Sequence, residues 1–204
     1  MGFLSKGAAK EVCQLCFKGR KRCFQKKVLE ILANIPEGFT VAVQDESIFV
    51  HDALVRRKLW LPIGVRPVVT ITGSHQRTCA FGTLTIDGRQ LFRQYDAFNQ
   101  YTFMDYLKQL QRRFGKVILI TDRARQHQSK KVQKYLEENK DSIRIIYLPK
   151  GSPEFSAVEE CWRQGKYDLL VSRYYPRFDD LRKAVAEYYR TRRFNLDIVR
   201  YLLR

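Results

Sequence analysis

The run Lys116-Val117-Ile118-Leu119-Ile120-Thr121 constrains this chain most. Its apolar centre is unbroken, and helical patterns flank it on both sides. A short run of this kind reads as a strand buried on both faces, inside a sheet covered by helices. Asp122 follows it at once. Other β-rich runs span Thr40 to Asp45, Val68 to Thr72, Thr78 to Ile86, Gln90 to Tyr95 and Ile143 to Leu148. Asp87-Gly88, between two of them, is a hairpin signal. Helical periodicity covers 8–34 with a break near Gly19, then 100–113, 129–139, the stretch after Pro153 to about Arg173, and 179–191. Strands interleaved with helices predict a mixed α/β layer architecture.

Charge narrows the partner. Lys and Arg total 38 against 21 Asp and Glu, a net of +17 over 204 residues. An excess that large repels itself unless a polyanion is near, and nucleic acid is the usual one. Residues 1–27 hold eight basic residues and one acidic, and Arg190, Arg192 and Arg193 cluster near the other end. No apolar run approaches the ~18 residues of a membrane span, so no membrane partner is expected. No apolar stretch of a signal peptide follows Met1, and five Cys is an odd number. Both point to a reducing, cytoplasmic setting. Cys13, Cys16 and Cys23 invite a zinc reading, but the fourth ligand is missing. Small apolar residues on a helix are the competing reading.

Asp45 and Asp122 each close a buried strand pattern. If the two strands are parallel neighbours, about 4.8 Å apart, their carboxylates emerge side by side. Two acids so placed repel, and hard cations such as Mg²⁺ or Mn²⁺ would neutralise them. Glu159, near the start of a helix, is the candidate third acid. A plain reading stands beside this one: Asp also starts turns and caps helices, and Glu is at home on a solvated helix face.

Three motifs then resemble a known family. Residues Leu148 to Trp162 (LPKGSPEFSAVEECW) resemble the "LPPYSPELNPIEEVW" signature of DDE transposases. Within them, the chain is similar to the insertion-sequence family numbered 630 of the mariner superfamily. Gln44-Asp45-Glu46-Ser47 resembles its first-acid motif, and Asp122-Arg123-Ala124-Arg125-Gln126-His127 its D-N-x-x-x-H run. Arg57-Lys58-Leu59-Trp60, ending at Gly64, resembles the basic-Trp-x-x-x-Gly segment. The likeness covers roughly 28–195. Two positions depart from it: Arg123 replaces Asn, and Ser156-Ala157 replaces Asn-Pro.

The resemblance implies a ribonuclease-H-like mixed sheet flanked by helices over 36–195. A basic helical arm over 1–35 would precede it, and a tail over 196–204 would follow. It implies a catalytic and metal-binding triad of Asp45, Asp122 and Glu159, spaced by 77 and 37 positions. Glu160, the rival, would point about 100° round the helix. Two Mg²⁺ or Mn²⁺ ions would serve cleavage of transposon-end DNA and transfer of the freed 3′-hydroxyl into target DNA. A homodimer on paired ends and a separate end-recognition polypeptide are the implied partners. Arg56, Arg57, Lys58, Arg66 and Arg123 are candidate DNA contacts, with a plain solvated surface as the alternative for the first four. Trp60 is expected to stack on a base or pack in the interior. His127 is expected near the site or as a structural histidine at a helix start. A ribonuclease-H-like nuclease without strand transfer, and an inactive nucleic-acid-binding module, share the same fold and stay as alternatives.

Overall fold

The computed structural model describes residues 6–52, 62–65, 68, 70, 72–171 and 173–204, with side chains from residue 19 onward. Helix α1 spans Lys6–Ala33 and runs straight through Gly19, where a break was expected. A mid-helix glycine costs only about 1 kcal/mol against alanine, and the packed turns beyond it outweigh that. Strands β1 (Phe39–Val50), β2 (Arg77–Thr85) and β3 (Gln90–Tyr95) follow, then helix α2 (Gln100–Phe114) and strand β4 (Lys116–Thr121). Helix α3 (Lys130–Glu138) and strand β5 (Ile143–Tyr147) come next. Helices α4 (Val158–Leu170), α5 (Phe178–Thr191) and α6 (Ile198–Leu202) complete the order.

The five strands form one mixed sheet in the order β3-β2-β1-β4-β5. β1 pairs antiparallel with β2 and parallel with β4. The expected interior strand is therefore real: β4 lies between β1 and β5, and its residues from Val117 on are buried. Its side chains divide between two cores, as period two requires. Val117 and Leu119 face α2 and Val132 of α3. Ile118 and Ile120 face the layer built from α1, α4, α5 and α6. Phe24 and Val28 of α1, and Ile198 and Leu202 of α6, belong to that second core, so it draws on residues either side of 36–195. Phe24 meets Phe155 with ring centroids 5.1 Å apart.

The run Val68 to Thr72 forms no strand at its described positions 68, 70 and 72. β-branched residues favour a strand only where a pleated surface receives them, and Val68 is exposed. Asp52 takes the chain instead. Its carboxylate accepts from Thr72 N (2.7 Å), Thr72 Oγ1 (2.7 Å) and Ser74 N (3.0 Å). Among the described residues no helix is long and apolar enough to cross a membrane.

Candidate functional site

Strand β1 continues past Asp45 to Val50, so Asp45 lies within a strand rather than after one. Its partner changes on the way. Up to Val43 the strand pairs with β4, and β2 carries it on to Val50. The β1–β4 register matches Val43 with Ile120, an offset that sets Asp45 level with Asp122. Asp122 is the first residue beyond β4, where the strand ends and the carboxylate opens outward. The two acids thus emerge at the same end of adjacent parallel strands, two positions beyond the last β1–β4 pair.

Glu159 sits in the first turn of α4 and is exposed. Its charge reaches Asp45. Burial pushes the Asp45 carboxyl well above the usual carboxylate range, and the charges of Glu159, Glu46 and Asp122 push it further. Glu160, one position on, is held by Arg163 (2.7 Å) and Gln164 (2.9 Å) on its own helix. Trp162 ties α4 to the sheet: its indole Nε1 donates to Asp45 Oδ2 at 3.1 Å. Gly82 makes that approach possible. It lies level with Asp45 on β2, and a Cβ there would stand 2.8 Å from the indole ring and 2.6 Å from Phe92.

Asp122 is organised from the other face of the sheet. Its Oδ1 accepts from Ala124 N (3.0 Å) and from His127 Nδ1 (2.9 Å). The other imidazole nitrogen, Nε2, donates to Glu46 Oε1 at 2.7 Å. The chain runs on: Gln44 Nε2 donates to Glu46 Oε1 at 3.0 Å, and Thr121 Oγ1 donates to Gln44 Oε1. The His127 ring is wholly buried against Phe103, 4.0 Å between centroids. Burial alone would lower its pKa, but the carboxylates of Asp122 and Glu46 raise it to about 10. The ring is therefore an imidazolium at neutral pH, with both nitrogens donating. The hydrogen bond from His127 holds the Asp122 carboxyl below its ordinary value, although burial opposes it.

Glu46, Asp122 and His127 bring three potential ligand atoms within 4.8 Å of one another. Both imidazole nitrogens are taken up by hydrogen bonds to Asp122 and Glu46, so the group holds the Asp122 carboxylate in place. Asp45, Asp122 and Glu159 are a different set: all oxygen, all acidic, and mutually repelling at Asp45. Such oxygen donors are the kind a hard divalent cation takes, but among the described residues their ligand atoms do not all lie within 4.8 Å of one another, as those of Glu46, Asp122 and His127 do. We expect Glu46→Gln to lower the His127 pKa and loosen Asp122, because Gln accepts the imidazole hydrogen bond without its charge. Following the imidazole resonances by NMR across a pH series checks this, and a titration still centred near 10 would contradict it.

Glu46 was missed by sequence reasoning. The signal was present: side chains alternate along β1, so Glu46 faces away from Asp45 and shares a face with Gln44. His127, expected near the site or as a structural histidine, is wholly buried between two carboxylates. Arg123, a candidate phosphate contact, lies over the Tyr147 ring at 5.5 Å. Arg56, Arg57, Lys58, Trp60 and Arg66 fall outside the described residues, as do the side chains of Cys13 and Cys16. Cys23 is exposed, and Cys79 and Cys161 are buried thiols.

Residues 40–182 match the family model described as DDE superfamily endonuclease. This chain belongs to the DDE superfamily endonucleases. Solved structures agree with the fold of the DDE domain. The Mos1 transposase paired-end complex with left transposon end superposes with a TM-score of 0.65 at 14% identity, covering 98% of this chain and 59% of that one. The catalytic domain of Mos1 mariner transposase gives a TM-score of 0.59 at 14% identity, covering 98% and 89%. The Mos1 catalytic domain with Raltegravir and Mn gives 0.59 at 14%, covering 90% and 86%. The DDE domain is thus ribonuclease-H-like, a five-stranded mixed sheet between helical layers. The chain spans 59% of the length of the Mos1 chain in the paired-end complex. No curated protein matches it in sequence.

Proposed function

We propose that this chain is the catalytic domain of a DNA transposase of the mariner type, cutting transposon-end DNA and joining the freed 3′-hydroxyl to target DNA. One observation carries the reading. The β1–β4 register sets Asp45 level with Asp122, and Asp45 feels the charge of Glu159 from α4. Paired-end, Mn- and Mg-bound forms of Mos1 support DNA and a divalent metal as the partners of this fold.

Asp45, Asp122 and Glu159 would hold Mg²⁺ or Mn²⁺, two ions on this reading. When bound, such ions activate an oxygen nucleophile and stabilise charge on the leaving oxygen. The protein supplies the placement. Trp162 fixes Asp45 from the α4 side. His127 fixes Asp122 through Oδ1, and no hydrogen bond among the described residues takes Oδ2. Asp45 is partly buried, and the lowered local dielectric strengthens its interaction with a cation. Phosphodiester cleavage and transfer need no covalent protein intermediate here.

The test is incubation with Mn²⁺ and supercoiled plasmid, plus a labelled duplex carrying a free 3′-hydroxyl. Metal-dependent nicking and joining are expected, both lost in Asp122→Asn. Nicking without joining would mean a nuclease on this fold. DNA binding with neither reaction would mean an inactive module.

A further inference from the structure

Strand β3 is an edge of the sheet, and its free side forms the floor of a groove of about 490 Å³ between β3 and α5. The groove lies away from the three acids. Four arginines line it, from three separate places in the chain: Arg93 on β3, Arg113 in the last turn of α2, and Arg190 with Arg193 at and just beyond the end of α5. A solvated helix face would draw its charges from one helix at helical spacing. Arg190 and Arg193 are close in sequence, but only tertiary folding brings Arg93 and Arg113 to them.

The balance of charge is positive. Glu187 pairs with Arg190 at 2.6 Å, and Arg93 donates to Gln109 and to Phe92 O. Arg113 and Arg193 make no ion pair among the described residues. The β3 backbone adds donors. Thr85 N donates to Arg89 O at 2.9 Å, and the antiparallel alternation from there turns the N–H groups of Phe92 and Gln94 away from β2. Gln90 does not share in this: its side chain bonds Arg192 O (2.7 Å) and Phe194 N (3.1 Å), closing the start of the edge.

Guanidinium groups with outward N–H donors suit phosphate oxygens. The position suits DNA at the acids. Asp45, Gly82 and Phe92 stand in one register row across β1, β2 and β3. The groove therefore begins two strand spacings from Asp45, roughly 10 Å.

We propose that this groove is a second DNA-backbone site, holding phosphates of the duplex that flanks the reacting bond. The identity of the partner rests on the transposase reading; the site rests on the arginines and the strand edge. The experiment measures fluorescence anisotropy of the full chain on a labelled random-sequence duplex over a salt series. Arg113→Gln/Arg193→Gln is compared with Arg113→Lys/Arg193→Lys. Each phosphate contact adds about 0.9 to the slope of log affinity against log salt, so the Gln pair lowers the slope by about 1.8 and weakens binding. The Lys pair keeps the slope, which a purely structural role for the two arginines would not require. An unchanged slope in the Gln pair overturns the proposal. So does loss of self-association by light scattering with DNA affinity intact, which would assign the strand edge to a second copy of the chain. A chain whose slope depends on the groove but which joins no DNA keeps the groove and loses the transposase reading. Joining with an unchanged slope loses the groove alone.

Discussion

Asp45→Asn is expected to abolish metal-dependent cleavage and to raise the melting temperature of the metal-free protein. The two effects have one cause. Asp45 is partly buried and close to the charges of Glu159, Glu46 and Asp122, so its carboxyl gives up its proton reluctantly. In the unfolded chain the same group ionises near 3.8. A folded-state value above the unfolded one means that the folded protein holds the extra proton. The stability this contributes is fully present below about 3.8 and is lost as pH rises through the raised folded value. At neutral pH the wild-type site is therefore strained by its own charge, and Asn removes that strain. Asn still offers an oxygen to the Trp162 N–H, so the packing is kept. The activity loss should be at least the ~10²–10³ typical of one key electrostatic group. Thermal melts over a pH series, with and without Mn²⁺, check the account. The gap between variant and wild type should close in acid, and Mn²⁺ should raise only the wild type. A variant less stable than wild type at neutral pH without metal would contradict it.

Trp162→Ala is expected to cost about 3–5 kcal/mol, near the stability of many domains of this size. The indole is 2% exposed and packs edge-on against Phe49 (6.5 Å), Phe92 (5.6 Å) and Tyr189 (5.2 Å). It also carries the donor to Asp45. Trp162→Phe separates the two roles. It keeps most of the ring contact but removes the N–H, which leaves a part-buried carboxylate short of a partner at about 1 kcal/mol. Urea unfolding should show a large loss for Ala and a smaller one for Phe. Mn²⁺ titration of the Phe variant should show weakened metal binding in a folded protein, because Asp45 then ionises less readily. Metal affinity equal to wild type in Trp162→Phe would restrict the residue to packing.

These effects depend on pairings that lie far apart in the chain, and the sequence showed them unevenly. KVILIT announced an interior strand because a double-sided burial needs unbroken apolar residues, and Asp122 announced its end. Asp45 was legible as an acid on a strand, but its strand was read as ending there. It continues because β2 receives it, and nothing local to Thr40–Asp45 reports that partner. Val68 to Thr72 had β-branched residues and no strand at its described positions, since Asp52 captures Thr72 and Ser74. Gly19 looked like a break and is not one, since a glycine weakens a helix without ending it.

By itself the sequence determined the class of the fold, the family and the candidate acids, because periodicity and motif are local properties that survive without coordinates. Tertiary structure alone decided how those acids are held. Glu46 meets His127 across 81 positions, and Trp162 meets Asp45 across 117. It also brought Arg93, Arg113, Arg190 and Arg193 to one sheet edge. Hydrogen bonds and charge act over a few ångströms of space. A chain states its own neighbours in order, and only the register of a sheet and the packing of its helices make distant residues adjacent.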